Sequence, residues 1–293
     1  MSVLARIPKA RIAQLHRPAL AVQARRHRSA PAYPGHIPLN AFENAFLAVG
    51  SGIAALLNPR RGDMVAALGE TTGHCALPGL LDQMLSSPEG RRVLKERPRV
   101  NTHTIALDTL RALPPNTFGR TYANWLDRTG VTPDTRSPVH YIADPEQAYV
   151  MQRYRECHDF YHALFGFPVS VQYELALKVF EALHFGLPMA YFSALLGPLR
   201  VNGEQRLMLV RDYVPWTMRV AAECKPLIGV YWEERWEQDL AEMKRELGVW
   251  DPPVQPKWGK RLTEADKEAA RAKAAAAAEN DLGAAGEHPP NTT

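Results

Sequence analysis

Two helix-length segments that meet at a glycine and a proline constrain the fold of this chain more than any other feature of its sequence. Asp144 is a favourable N-cap, and Pro145 suits the first helical position. Gly166 and Pro168 predict the end of that helix, because glycine supports a left-handed C-cap and proline cannot continue a helix. A second helix is predicted to end near Gly186. The sequence therefore predicts a helical hairpin that bends about the proline.

Four polar side chains lie within this predicted hairpin. His158 and His162 are four residues apart and share one helix face, while Asp159 lies about 100° further round. His162 lies six residues before Pro168, and Glu174 lies six residues after it. His162 and Glu174 are therefore expected at similar height on antiparallel helices. Two imidazoles with one or two carboxylates suit Zn²⁺ first and Fe²⁺ second. We predict a metal-binding helical hairpin in which Asp159 is either a ligand or a base.

Other interpretations of the same pattern stay open. Paired histidines on a helix also fill cores, although the neighbouring carboxylates make this less favourable here. Zinc peptidases with two histidines and one glutamate have Glu where this chain has Asp159, which disfavours a hydrolase. Cys157 precedes His158, but its side chain points about 100° away on a helix, so we interpret it as a packing residue.

Several short motifs carry a family resemblance. The first is HDxxH, followed by eleven residues and Glu, which covers His158 to Glu174. The others, in chain order, are Arg97-Pro98-Arg99 and the segments 131–136, 149–156, 186–188 and 197–200. Together they resemble the ubiquinone (coenzyme Q) biosynthesis protein four family over the region from about Tyr33 to Gly248.

This resemblance implies a mitochondrial protein of ubiquinone biosynthesis. Such a protein is expected on the matrix side of the inner membrane, as a peripheral member of a complex with other ubiquinone-biosynthesis enzymes. Its implied activity is removal of the ring C1 carboxylate from 4-hydroxy-3-methoxy-5-polyprenylbenzoate, with or without hydroxylation at that carbon. The alternative is a non-catalytic, lipid-binding scaffold that organises the complex, which a closed four-ligand metal site would favour. A homo-oligomer is a further open alternative.

Two residues before the first histidine are candidates for substrate binding. Tyr154 and Arg155 lie four and three residues before His158, on the same helix face. Arg155 can hold a substrate carboxylate as a two-pronged donor, and a salt bridge to an acidic residue is the competing interpretation. The same two interpretations apply to three other arginines, Arg97, Arg99 and Arg136.

The N-terminal segment has a different composition from the remainder. The first 42 residues contain seven basic side chains and no acidic residue. This predicts a mitochondrial transit peptide over residues 1–32, with a disordered basic arm as the alternative. The whole chain has 35 basic and 31 acidic residues, so its basic excess belongs to this segment. No nucleic-acid-binding motif follows it, and we predict no nucleic-acid partner.

Residues 33–250 are predicted to form a single all-α domain, because alternation with a period of two is almost absent. Asn40 and Glu43 form a candidate capping box for a helix from Ala41 to Leu57. Further helices are predicted at 63–68, 78–85, 87–96, 108–113, 117–128 and 204–224, and one short strand at 139–142. Trp232 and Trp236 are predicted to share one helix face with Leu240, Met243 and Leu247.

Two segments near the C-terminal side differ from the predicted domain. Phe185 to Gly197 is strongly apolar, which predicts either a buried helix or a surface that enters a membrane or lines a polyprenyl tunnel. Residues 251–293 are broken by prolines and then become rich in alanine and charge. They have little apolar surface to bury, so we expect an exposed helix or a mobile tail there.

Overall fold

The computed structural model describes residues 30–58 and 61–258, together with Ala265, Asp266, Ala269 and Ala272. Over these residues the fold is a single all-α domain, as predicted, and it contains no β-strand. The predicted transit peptide lies outside the described residues except for its last three positions. The predicted tail, residues 251–293, also lies largely outside them. Its first part, 251–258, is described and packs Val254 and Trp258 against the core, whereas its four other described positions are helical and exposed.

Twelve α-helices are present in the described ranges. Apart from the one through Trp232 and Trp236, the predicted helices begin and end within a few residues of their expected positions. They are α1 Ala41–Leu57, α2 Gly62–Thr72, α3 Leu77–Ser86, α4 Pro88–Glu96, α5 Leu107–Ala112, α6 Phe118–Thr129, α7 Pro145–Phe165, α8 Val171–Phe185, α9 Pro188–Leu196, α10 Gly203–Met208, α11 Val214–Glu223 and α12 Leu240–Leu247. A π-helical turn, Leu209–Tyr213, joins α10 to α11 just before Pro215. This turn accommodates the proline, which has no amide N–H to donate.

The helix ends follow the capping residues of the sequence. Asn40 accepts hydrogen bonds from two amides of the first turn of α1, and its own amide donates to Glu43, which completes the predicted capping box. Asp144 accepts from the amides of Glu146 and Gln147 at the start of α7. Gly166 ends α7 at φ 69°, in the left-handed region where glycine has no steric penalty.

Helix α7 forms the centre of the domain. Its residues from Ala148 to Phe165 are all buried, and it packs against α3 and α6. A helix surrounded on every side needs partners for its polar side chains, because unpaired polar groups are costly to bury. The polar residues of α7 are therefore fixed by contacts from several other elements, including those that form the candidate site.

The predicted strand at Val139–Ile142 is wrong. The amides of His140 and Tyr141 donate to the Glu70 carboxylate, and the amide of Val139 donates to the side chain of Gln152. Side chains of α2 and α7 thus satisfy the backbone donors that a neighbouring strand would otherwise bond. The segment therefore belongs to no sheet.

The predicted long helix through Trp232 and Trp236 is also wrong, because α12 begins only at Leu240. Asp239 caps that helix, and Trp232 belongs to a short 3₁₀ turn. The carbonyls of Trp236 and Gln238 accept hydrogen bonds from the first amides of α6. These long-range bonds hold the segment in a non-helical conformation while both tryptophans still pack in the core.

Helix α9 lies within the apolar segment from Phe185 to Gly197, for which the sequence left open whether it is buried or forms a surface. Met189 and Ala190 are buried, whereas Tyr191, Phe192 and Leu195 are exposed. The buried-helix interpretation therefore holds for one face only. Across the described ranges, no helix combines the length and the apolarity that crossing a bilayer requires.

Candidate metal centre

Helices α7 and α8 bring the predicted metal ligands together. His158 and His162 lie four residues apart on α7, and Glu174 lies in the first turn of α8. Five residues, 166–170, connect the two helices. Both imidazoles are buried, and the Glu174 side chain is 31% exposed, so the carboxylate is the member of the cluster that solvent reaches most easily.

The ligand atoms of these three residues converge. The Nε2 atoms of His158 and His162 are 3.2 Å apart. Glu174 places one carboxylate oxygen 3.4 Å from His158 Nε2 and the other 3.1 Å from His162 Nε2. All three groups offer an atom within 4.8 Å of the others, and no other such cluster of three is found among the described residues.

These separations fit a small divalent ion. Zinc binds imidazole nitrogen and carboxylate oxygen at about 2.0–2.2 Å, so neighbouring ligands of a tetrahedral ion lie roughly 3.3–3.5 Å apart. The three measured separations fall close to that range. Three protein ligands leave a fourth tetrahedral position for water or substrate, the arrangement found in catalytic zinc sites.

The far side of each imidazole is held by a second partner. His158 Nδ1 lies 2.6 Å from Glu181 Oε1, and His162 Nδ1 lies 3.2 Å from the Phe167 carbonyl. The same carbonyl accepts a hydrogen bond of 2.8 Å from Trp125 Nε1. Such partners fix the tautomer with Nδ1 protonated and direct Nε2 toward the ion.

Glu181 was missed by the sequence interpretation. Its second oxygen accepts from the Tyr154 hydroxyl at 2.7 Å and from Lys178 Nζ at 2.5 Å. Glu174, Lys178 and Glu181 are spaced by four and three residues, so their shared face on α8 was a usable signal. Burial opposes ionisation of Glu181, but Lys178 and His158 outweigh it and lower its pKa to about 2.

The two histidines and the cluster carboxylate also influence one another. Burial raises the pKa of Glu174, yet the neighbouring His162 and His158 outweigh it and hold this pKa well below its usual range. Burial lowers the pKa of His158, but Glu181 outweighs it and the net pKa lies above the usual value. An ionised carboxylate at the mouth of the cluster is the form that a divalent ion requires.

Asp159 lies beside the cluster and is not one of its three converging members. Its side chain is almost fully buried and forms a salt bridge with Arg136. The prediction that Asp159 is a ligand or a base therefore stays a prediction, and its observed partner is a guanidinium.

The two predicted substrate-binding residues have extensive protein contacts. Arg155 donates to Glu70 and to the carbonyls of Ala66, Ser137 and Pro138. Tyr154 donates to Glu181, as described above. Their roles toward substrate stay predictions, and Arg155 has the salt bridge that was the competing interpretation.

The fold and this cluster define the class of protein: an all-helical domain with a candidate metal site of two histidines and one carboxylate. The model of the family described as Coenzyme Q (ubiquinone) biosynthesis protein Coq4 matches residues 33–253. The chain therefore belongs to the Coq4 family, as the sequence motifs predicted.

Known relatives are similar over most of this chain. The mitochondrial ubiquinone biosynthesis protein COQ4 of Laccaria bicolor is 60% identical over 244 residues, which are 83% of this chain and 82% of the relative. That of Coprinopsis cinerea is 56% identical over 241 residues, or 82% of each chain. The crystal structure of a Nostoc punctiforme protein matches with a TM-score of 0.56 and 22% identity, over 70% of this chain and 98% of that one. This structural likeness shows a shared fold.

Proposed function

We propose that this member of the Coq4 family is a metal-dependent decarboxylase of ubiquinone biosynthesis. Its substrate in this proposal is a prenylated 4-hydroxybenzoate derivative that carries a carboxylate at ring C1. The convergence of His158, His162 and Glu174 on one point carries the proposal. A cluster with three ligands, one of them partly exposed, favours an open catalytic position over a closed structural site.

The donor set suits Zn²⁺ first and Fe²⁺ second. A bound divalent ion would supply Lewis-acid stabilisation of negative charge on the substrate. Glu181 and the Phe167 carbonyl would hold the histidines in place, which limits reorganisation during the reaction. Burial of both imidazoles excludes water from most of the site and strengthens its electrostatic interactions.

The reaction replaces one group on the ring. The bond between C1 and the carboxyl carbon breaks, carbon dioxide leaves, and a proton takes its place on C1. Ionisation of the para hydroxyl group increases the electron density at C1 and assists protonation there. We assign to Asp159, paired with Arg136, the role of the base that carries this proton from solvent to C1, at the end of the ring that holds the carboxylate.

A prenylated substrate resides in a membrane, and two exposed apolar faces support attachment to one. On α1, Phe42, Phe46, Val49, Ile53 and Leu57 recur at helical spacing and form a stripe that is 55–78% exposed. On and after α9, Tyr191, Phe192, Leu195 and Leu199 are 48–76% exposed. Contiguous exposed apolar surface of this kind is typical of interaction sites.

The two faces belong to adjoining parts of the fold. Helix α2 packs against both α1 and α9, and Arg200 donates to the Leu56 and Leu57 carbonyls at the end of α1. The names of the relatives and this surface together support a peripheral location on the mitochondrial inner membrane, on its matrix side. There the protein would work in a complex with other ubiquinone-biosynthesis enzymes.

The exposed apolar surface also favours the second candidate function, a non-catalytic, lipid-binding scaffold for that complex. Both proposed functions require attachment to a membrane, and only the decarboxylase converts substrate to product. Scaffold function would leave the metal cluster as a structural site.

Release of a labelled C1 carboxyl group distinguishes the two functions. We expect the zinc- or iron-loaded protein to release label as carbon dioxide, and His158→Ala and Glu174→Gln to release none. If the wild-type protein binds substrate but releases no label under either loading, the decarboxylase proposal is wrong and the scaffold replaces it.

Membrane attachment has its own test. Phe46→Glu with Leu195→Glu should abolish co-flotation with phosphatidylcholine vesicles that contain cardiolipin. Leu85→Glu is the matched control, because Leu85 is an exposed apolar residue on α3. Equal loss in the control, or full binding by the double variant, would contradict the assignment of these faces.

A further inference from the structure

Arg136 differs from the other arginines near the candidate metal centre in having unused donors beside solvent. Within the described residues it contacts one acceptor, Asp159, through Nη2, and its Nε is buried without an acceptor. Its side chain is 30% exposed.

The two arginines of α7 lack this combination. Arg155 donates through both terminal nitrogens to Glu70 and to backbone carbonyls. Arg153 also has a buried Nε without an acceptor, but its side chain has no exposed surface and pairs with Glu233. A ligand can therefore reach Arg136 without displacing an existing protein partner.

The backbone that carries Arg136 is held rigidly against α7. Arg155 donates to the carbonyls of the next two residues, Ser137 and Pro138. On the other side, Asp134 accepts hydrogen bonds from the amide and hydroxyl of Thr102. Arg155 thus positions the segment from which Arg136 extends, and a fixed guanidinium loses less entropy when it binds a planar anion.

A second donor without a partner lies nearby. The Tyr122 hydroxyl is buried and has no acceptor among the described residues. The Asp159 charge raises the pKa of both Tyr122 and Arg136, so both donors lie within electrostatic range of the same carboxylate. Burial opposes the charge of Arg136, but Asp159 and Glu174 outweigh it and raise its pKa, so the guanidinium remains cationic.

The local charge balance favours one additional anion when a metal is bound. The carboxylates of Glu174, Glu181 and Asp159 outnumber the cations Arg136 and Lys178 by one. A divalent ion would change this deficit into an excess of one positive charge. A single aromatic carboxylate would neutralise that excess.

We propose that Arg136 is the carboxylate-binding residue of the site and distinguishes carboxylated substrate from decarboxylated product. This inference rests on the proposed function, because it concerns the carboxylate that the reaction removes. The donor that remains for a carboxylate is the terminal nitrogen Nη1, which has no acceptor among the described residues and lies on the terminal edge of the guanidinium. Loss of carbon dioxide removes this partner, which weakens product binding and favours release.

Equilibrium binding of two unreactive probes tests the proposal. A prenylated benzoate and the matching prenylated benzamide lack the para hydroxyl group that assists decarboxylation, and they differ in charge. We expect the zinc-loaded full chain to bind the benzoate about 10- to 100-fold more tightly, as charged hydrogen bonds allow. Arg136→Gln should remove this preference while changing benzamide binding little.

Three further variants make the outcome interpretable. Arg136→Gln combined with Asp159→Asn avoids an unpaired buried carboxylate and should show the same loss of preference. Arg136→Lys keeps the charge without the planar guanidinium and should retain part of the preference. Arg97→Gln removes an exposed salt bridge to Glu146 and should leave the preference unchanged.

Two results would overturn the proposal. If Arg136→Gln retained the benzoate preference, another cation would be the carboxylate site. If the wild-type protein bound both probes equally, water would satisfy the free donors and the site would not select anions. The binding experiment and the label-release experiment can fail independently. A preference for benzoate without release of carbon dioxide would contradict only the decarboxylase proposal.

Discussion

The contact between Glu181 and His158 gives the most specific quantitative prediction for the metal centre. Substituting Glu181→Gln keeps the shape of the side chain but removes its charge. The carboxylate lies 2.6 Å from His158 Nδ1, and its other oxygen contacts Tyr154 and Lys178. The amide of a glutamine can accept the same Nδ1 hydrogen bond as a neutral group.

The expected loss follows from the change in this hydrogen bond. Charge-assisted bonds are worth about 1.5–3 kcal/mol and neutral ones about 0.5–1.5 kcal/mol, so the difference is roughly 1–1.5 kcal/mol. Removal of a partner that orients a metal-bound histidine typically costs about 10- to 100-fold in metal affinity. We therefore expect Glu181→Gln to bind zinc at least about tenfold more weakly, whereas His158→Ala removes a ligand outright and should lose far more.

A competition titration against a coloured chelator measures this affinity. Mildly alkaline buffer is preferable, because protons then compete least with zinc for imidazole. Glu156→Gln is the matched control: Glu156 is a buried carboxylate on α7, bonded to Arg99 and Gln152 instead of to a predicted ligand. Lys178→Met combined with Glu181→Gln tests whether the unpaired lysine contributes.

Two results would refute the reasoning. Unchanged zinc affinity in Glu181→Gln would mean that this carboxylate does not support a metal ligand. If Glu156→Gln lost as much zinc affinity as Glu181→Gln, general destabilisation of α7 would explain the effect.

Four further predictions concern the stability of the fold and can be measured by urea denaturation of metal-free protein. Burial lowers the pKa of His184 from 6.5 to about 4. Because the unfolded chain takes up this proton first as the pH falls below 6.5, the free energy of unfolding decreases between these two pH values. Between about pH 7 and about pH 5 the wild type should lose roughly 2 kcal/mol more than His184→Gln. Gly90→Ala should destabilise by about 1–3 kcal/mol, because the new Cβ would lie 2.3 Å from the Met84 carbonyl oxygen. Gly79→Ala, whose Cβ would meet no atom within 4 Å, should instead stabilise α3 by about 0.5–1 kcal/mol. Asp144→Ala should cost about 1 kcal/mol by removing the N-cap of α7.

The helix boundaries were predictable because their determinants are local. Asn40, Asp144, Gly166 and Gly186 act on backbone groups within a few residues, so their effects can be inferred from sequence spacing. The segments that were predicted wrongly depend on distant partners. Glu70 bonds the amides of the expected strand, and α6 bonds the carbonyls that precede α12.

The same distinction applies to the candidate site. The spacing of His158 and His162 predicted a shared face, and the bend placed Glu174 near them. The partners of the arginines could not be inferred, because Glu70 lies far from Arg155 in sequence and many acidic residues were available. Glu181 was accessible from its spacing on α8, but its contact with His158 required the packing of two helices.

Stoichiometric reconstitution with metal tests directly whether decarboxylation depends on an ion bound by His158, His162 and Glu174. Zinc, or iron(II), would be titrated into metal-free protein while label release from a prenylated 4-hydroxybenzoate with a labelled C1 carboxyl group is measured at each addition. We expect release to rise with added metal up to one equivalent per chain, and a variant lacking His158, His162 and Glu174 to show no release at any addition. Release that does not depend on metal, or that survives in this triple variant, would contradict the account.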